Sequence, residues 1–351
     1  MASTEATWRR HLTPAPEPEQ PDRTAAPAPE RATRPAPPPP GALALGNGPA
    51  PAARTARVAP PERTIPTSAA RRAIASVVVV HPFPSLLNGL VVAVVAMVAG
   101  AAPSHAVLLG VSMVLLHFSI GTLNDIVDAP RDKAAGRPKP IPDGLVREAT
   151  ARVVTATAAG GGLVLALLGG GPQLLLVALV GLAIGASYDL AAKGTRLSWL
   201  PIAIGVPLLP VYGWLGATGT LPAAFGVLVP IAALAGAALA ISNAAVDIER
   251  DRAAGVTSLA VALGPRAAAI VTLLLQLVVA TIAVGSASAL GASGTWLTVA
   301  AAMGAIPVLG ATLGVLIAGR GPTAREVAFE IQAVGLALLV VAWVNALGVA
   351  A

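Results

Sequence analysis

Hydrophobic positions in this chain do not alternate with polar ones. From about Ile74 they run in blocks, each near the ~20 residues that a helix needs to cross a bilayer core. Nine blocks lie at approximately 74–100, 105–128, 149–169, 173–191, 198–217, 222–246, 267–290, 295–318 and 326–350. The pattern predicts an all-α, polytopic membrane protein with about nine transmembrane helices. Before the first block, Met1 to about Ser68 is rich in Pro, Ala, Arg and Glu, includes the run Pro37 to Pro40, and has almost no large apolar side chains. Such a segment buries too little apolar surface to offset the entropy of ordering it, so disorder is predicted. The expected division is a tail over 1–70 and a transmembrane domain over 71–351.

The polar positions set an orientation. Every Lys and Arg lies in the tail or in the even-numbered connections and their edges, such as Arg131 to Arg152, Lys193 and Arg196, Arg250 to Arg266, and Arg320 and Arg325. The odd connections, around Ala101 to Ser104, Gly169 to Pro172, Ala217 to Leu221 and Ser286 to Gly294, have none. By the positive-inside rule the N-terminus and the even connections are cytoplasmic and the C-terminus is outside. The tail has no apolar signal-peptide core, which agrees with that placement.

Composition narrows the chemistry. The chain is 55% hydrophobic and 11% charged, against about 25% charged in soluble domains. There is no cysteine, which excludes disulfides, thiolate nucleophiles and cysteine metal sites. The net charge of +6 is explained by membrane topology, and with aromatics at 3% there is no stacking surface for bases, so nucleic acid is not the expected partner. Membrane lipid is.

One stretch occurs twice. Asn124 to Gly136 reads NDIVDAPRDKAAG and Asn243 to Gly255 reads NAAVDIERDRAAG. Asn124, Asp128, Asp132 and Gly136 thus correspond to Asn243, Asp247, Asp251 and Gly255 without a gap. Residues four apart on a helix stack on nearly one face, so each copy can present a column of acids. Carboxylate columns call for a cation, and the hard ion that suits carboxylates and also bridges phosphate oxygens is Mg²⁺. In the first copy Asp125, Asp128 and Asp132 fall within about 60° of one another if the helix continues. Pro130 is expected to end or kink it near Ala129, leaving Asp132 in the loop. In the second copy Asn243, Asp247 and Asp251 drift by about 40° per step, and Glu249 points away. Both copies close a helix on the cytoplasmic side, four helices apart, which suggests a parallel repeat of four helices with the ninth outside it.

These residues resemble the UbiA superfamily of intramembrane prenyltransferases. The resemblance rests on N-D-x-x-D-x-x-x-D over Asn124 to Asp132, D-x-x-x-D over Asp247 to Asp251, the following Ala254 to Leu259 and Leu263-Gly264, and the nine-helix pattern. It covers about Arg72 to the C-terminus. It implies a helical bundle around a central cavity, in the cell membrane, with two Asp-rich motifs holding Mg²⁺ against a prenyl diphosphate. Asp125, Asp128, Asp247 and Asp251 are then the expected catalytic residues, and Asn124, Asp132 and Asn243 further metal ligands. Arg137, Lys139, Lys193 and Arg196, basic side chains on the same face, are candidates for the diphosphate, and relatives use the fourth-to-fifth connection, which holds Lys193 and Arg196, for phosphate contacts. Tyr188, Asp189 and Asn88 are candidates for lining the site.

Other polar residues are weaker candidates: His81 reads as interfacial, His117 as packing, and Glu330 and Gln332 as snorkelling from the start of the last helix. The implied activity is transfer of a polyprenyl group to a lipophilic acceptor, either an aromatic or quinone precursor or a lipid. A UbiA-type terpene cyclase is the alternative, and a membrane transporter is disfavoured because the charges crowd one face. After Asp132 the loop KAAGRPKPIPDG is closer in spacing to the archaeal ether-lipid and chlorophyll branches. Lys139 stands where those branches usually carry Arg, which keeps the charge but loses the planar fork.

Overall fold

The structure, a computed structural model, describes residues 69–348. The tail expected over 1–70 lies outside them except for its last two residues. The described residues contain helices and no strand. In chain order these are α1 (Ala69–Val78), α2 (Pro82–Val98), α3 (Pro103–Ala134), α4 (Glu148–Ser187, closed by a π-helical turn at Tyr188–Ala192), α5 (Trp199–Gly205) and α6 (Leu208–Thr218). There follow α7 (Phe225–Val246), α8 (Ile248–Ala253), α9 (Leu259–Leu263), α10 (Pro265–Ala289), α11 (Gly294–Leu316) and α12 (Pro322–Gly348).

Among the described residues, seven continuous helical stretches are long and apolar enough to cross a membrane. The chain is a multi-pass membrane protein. The difference from nine has two local causes. The first block is broken at His81, because Pro82 and Pro84 suit the first turn of a new helix and cannot continue an old one; what remains is α2, of 17 residues. The third and fourth blocks run on as one stretch, Glu148–Ala192. Within it, Gly170 and Gly171 are not helical, and Gly171 has φ 67°, which glycine tolerates and other residues resist. The packing there reverses direction. Gly162 abuts Leu116 and Gly169 abuts Leu109, whereas past the break Gly185 abuts Ile120 and Asp189 meets Asn124. The stretch therefore doubles back along α3.

The bundle is held by apolar surface and by close helix crossings. One cluster gathers Val95, Leu228, Ile231, Val279, Leu339 and Trp343 from α2, α7, α10 and α12, and another gathers Val92, Leu109, Met113, Leu174 and Tyr212 from α2, α3, α4 and α6. At the crossing of α2 and α3, a Cβ on Gly89 would sit 2.7 Å from the Gly110 carbonyl oxygen, and one on Gly110 would sit 2.8 Å from that of Gly89. Only glycine lets the two backbones approach so closely.

Two expectations for the repeated stretch change. The helix α3 does not stop before Pro130 but continues to Ala134. Pro130 is exposed and lies close to the helix end, where one missing bond costs less than in a helix interior. Asp132 is thereby part of the helix and buried. The second copy is not one continuous column, because α7 ends at Val246 and Asp247, with φ −108° and ψ 22°, separates it from the six-residue α8.

Candidate active site

The buried positions of α3 include Leu109, Met113 and Leu116 along its apolar part and Asp125, Asp128 and Asp132 towards its end. One helix thus buries its apolar half against α2 and α4 and carries three carboxylates at its end. Around them opens a cavity of about 550 Å³. Its wall includes Asn124 and Asp128 from α3, Asn243 from α7, Asp247 from the joint after it, Asp251 from α8, and Tyr188, Asp189 and Lys193 from the π turn and the residue after it. Arg137, Lys139 and Asn88 also line it. Asp125 and Asp132 lie directly behind this wall, 3% and 1% exposed. Arg196 is exposed and is not on the wall.

Nearly every carboxylate in the two motifs is engaged by a cation. Asp125 Oδ1 accepts from Lys139 Nζ at 2.9 Å and from His81 Nε2 at 3.2 Å. Asp128 pairs with Lys193 and, at 3.2 Å, with Arg131. Arg137 spans the two motifs, donating from Nη1 to Asp132 Oδ1 at 3.3 Å and from Nη2 to Asp247 Oδ2 at 3.0 Å. Asp247 also accepts from Arg250 at 3.0 Å. Asp189 is held by a neutral group instead, its Oδ1 accepting from Asn124 Nδ2 at 2.6 Å.

The π turn explains how two neighbours and a lysine five residues on share one wall. It closes with Lys193 N donating to Tyr188 O at 2.8 Å. An i to i+5 bond widens the turn, so residues five apart stack where an α-helix would separate them. Lys193 Nζ accordingly sits 5.8 Å from the Tyr188 ring centroid. The loop that follows is tied to the second motif: Gly194 O accepts from Thr257 N at 3.0 Å.

Sequence reasoning undervalued several residues. His81 is on the cavity wall, not merely interfacial. It has a left-handed backbone, φ 49°, and its ring packs onto Gly121, where a Cβ would lie 3.0 Å from the imidazole. A non-glycine residue in that region is strained and is usually held for a reason. The His-Pro break in the first block was its one visible signal. His117, Arg131, Glu326 and Glu330 also line the cavity, so snorkelling does not describe Glu330. Gln332 is buried, donating to Ser242 Oγ at 2.9 Å. Glu249 points away, as expected, and is gripped by Arg325.

Among the described residues no three acidic or imidazole side chains converge as a preformed metal site. The donor set nonetheless fits a hard divalent cation. It is built of carboxylate and amide oxygens, and two buried oxygens, Asp125 Oδ2 and Asp189 Oδ2, have no hydrogen-bond partner. Asp251 is affected by burial, which pushes its carboxyl above the usual value, with Asp247 adding to the push and Arg137 opposing it.

The polar cavity continues into an apolar one of about 110 Å³, and the two share Leu87, Asn88, Val206, Leu209, Leu239 and Ala333. The smaller cavity runs between α2, α7, α10 and α12 towards Trp343. A carboxylate-and-cation chamber opening into an apolar recess suits an anionic head on a hydrocarbon tail.

The UbiA prenyltransferase family model matches residues 85–331. No curated protein matches the chain. Among solved structures, a digeranylgeranylglyceryl phosphate synthase is 15% identical with a TM-score of 0.59, covering 79% of this chain and 99% of its own. A UbiA homolog from Aeropyrum pernix K1 is 21% identical with a TM-score of 0.59, covering 76% of this chain and 97% of its own. A UbiA homolog from Archaeoglobus fulgidus, bound to GPP and Mg²⁺, is 18% identical with a TM-score of 0.58, covering 76% of this chain and 99% of its own. At these identities the three likenesses establish a shared fold.

Proposed function

Since the chain belongs to the UbiA prenyltransferase family, we propose that it transfers a prenyl group from a prenyl diphosphate to a lipophilic acceptor with the help of Mg²⁺. The observation that carries this is the facing of the two aspartate motifs across one cavity, cross-linked by Arg137, with an apolar recess leading away. That the Archaeoglobus relative binds GPP and Mg²⁺ supports the same reading.

Asp125, Asp128, Asp247 and Asp251 would hold the metal, with Asn124, Asn243 and Asp132 beside them. When bound there, Mg²⁺ supplies charge neutralisation to the diphosphate leaving group, under which an allylic C–O bond ionises. The chain's own cations are already gathered at the same place. Lys139, Lys193 and Arg137 are each held by a motif carboxylate, so a diphosphate entering with metal exchanges partners with them and finds its donors in position. Such preorganised donors cost no rearrangement at the moment of reaction. The apolar recess holds the prenyl tail, keeps water from the allylic carbon and leaves the chamber for the acceptor. The acceptor is an aromatic or quinone precursor or a lipid-type molecule arriving from the bilayer. The positive-inside pattern supports a cytoplasmic position for this chamber.

The test uses the purified full chain with prenyl diphosphates of several lengths, Mg²⁺ and a panel of acceptors, following pyrophosphate release and product mass. Acceptor-dependent release, abolished in Asp125→Asn and Asp247→Asn, is expected. Release unaffected by either substitution overturns the proposal, and a cyclised product formed without acceptor converts it to a cyclase.

A further inference from the structure

Arg325 takes no part in the chemistry described above, yet it is the one arginine among the described residues that is almost wholly buried, at 5% exposed. Both of its terminal nitrogens donate to Glu249, one at 2.8 Å to Oε1 and the other to Oε2, while its Nε has no partner. The glutamate, by contrast, has 60% of its side chain exposed. Taking a guanidinium out of water is costly, and as a contribution to stability alone such a pair is a poor exchange. A buried fork that holds one carboxylate in a fixed place is better explained by what that carboxylate is attached to.

Glu249 sits in α8, between Asp247 and Asp251. A helix of six residues does not stabilise itself, so its direction is set by its ties to the rest of the molecule. Four are present. Ile248 is fully buried in a cluster with Ile241, Ala245, Ala260 and Ala268. Asp247 accepts from Arg137, Glu249 accepts from Arg325, and Arg252 donates to Val261 O at 3.2 Å. The contact of Asp247 with Arg250 is three residues along the same segment and moves with it. Of the four ties, the one to Arg137 is lost if that guanidinium turns to a diphosphate. Ile248 and Arg252 then hold the helix against α7, α9 and α10, and neither reaches α12.

The tie to α12, from Glu249 to Arg325, acts on rotation. At about 100° per residue, Glu249 lies about 200° from both Asp247 and Asp251, on the opposite face of the turn. Pulling Glu249 towards α12 turns the two aspartates to the cavity. We infer that Arg325 is a positioning residue for the second aspartate motif, holding α8 by Glu249 so that Asp247 and Asp251 stay aimed into the chamber when Arg137 leaves them. The inference rests on the proposed diphosphate and metal site and adds a part that the site itself does not contain.

The experiment titrates Mn²⁺ into the purified full chain with inorganic pyrophosphate, following bound metal by electron paramagnetic resonance, alongside the thermal midpoint of each variant. Glu249→Gln and Arg325→Gln are expected to weaken Mn²⁺ binding about tenfold or more, the range seen when partners behind metal ligands are removed. Arg325→Lys should recover part of the loss, and the exchange of both residues, Glu249→Arg with Arg325→Glu, should recover more. If Arg325→Gln does not fold, Glu249→Gln carries the test, because an exposed side chain is replaced. Unchanged Mn²⁺ affinity in Glu249→Gln overturns the inference, including the case in which only the thermal midpoint falls. Absence of pyrophosphate-dependent Mn²⁺ binding in the parent chain overturns both the inference and the proposed site, and so is distinguishable from failure of the latch alone.

Discussion

Removing Arg137 should cost far more than removing Arg137 and Asp132 together. Asp132 is 1% exposed, and the guanidinium of Arg137 is the hydrogen-bonding partner the structure gives it, at 3.3 Å. Arg137→Ala leaves that carboxylate buried and unpaired, a change that costs about 3–5 kcal/mol in comparable buried pairs. In the double variant Arg137→Ala with Asp132→Asn, no charge is stranded. The larger part of the penalty should return, leaving about 1–2 kcal/mol for the lost hydrogen bond to Asp247. For a domain of this size, 1 kcal/mol moves the midpoint by roughly 2–4 °C, so the single variant should melt on the order of 10 °C below the parent and the double variant within a few degrees. The measurement is thermal unfolding in detergent without ligand, read as a double-mutant cycle. Equal midpoints for the single and double variants would refute the reasoning, because Asp132 would then not depend on Arg137.

Two further outcomes are expected. Glu249 and Asp251, two residues apart, should show opposite pH behaviour. Arg325 holds the Glu249 carboxyl below its ordinary value, so its contribution to stability is present above the unfolded value of about 4.3 and is lost as pH falls through the folded one; Glu249→Gln should be destabilised at neutral pH with the gap closing in acid. Burial raises Asp251, so the folded state is favoured below the unfolded value of about 3.9 and that advantage is lost as pH rises. Asp251→Asn should thus melt higher than the parent at neutral pH while losing pyrophosphate release, and an Asp251→Asn chain that melts lower at neutral pH would contradict the assignment. In the apolar recess, Ala235→Phe should select against longer prenyl diphosphates, and Trp343→Ala should extend the accepted chain; product mass spectrometry that finds the same length preference in both would remove the recess from the tail's path.

How much of this could be read from the chain alone depends on whether a feature is local. The helical blocks and the duplicated acids were legible because period and spacing are properties of neighbours in sequence. Asn124, Asp128, Asn243, Asp247 and Asp251 share one cavity wall, as facing motifs require. The burial of Asp132 is not legible in this way, because a proline breaks helix interiors whereas Pro130 is exposed close to the helix end, and the break in the second copy at Asp247 has no proline or glycine to announce it. His81 and Glu330 reach the cavity through tertiary closure, whereas Arg131 lines it from the same helix as Asp128, three residues on. No spacing connects His81 to Asp125, 44 residues on. Arg196 shares a short connection with Lys193, but the π turn aims only the lysine at the wall.

The crossing of Gly89 with Gly110 has a bearing on how the chamber can change size. With each backbone carbonyl where the other glycine's side chain would be, α3 has no slack to slide or roll against α2, and the first motif is carried on a fixed rail. The second motif begins at a joint, Asp247, and continues on six residues fastened at their sides. Any swelling or tightening of the chamber around guests of different bulk must therefore be asymmetric, taken up on the side of the Asp247 joint, with α3 serving as the stationary jaw.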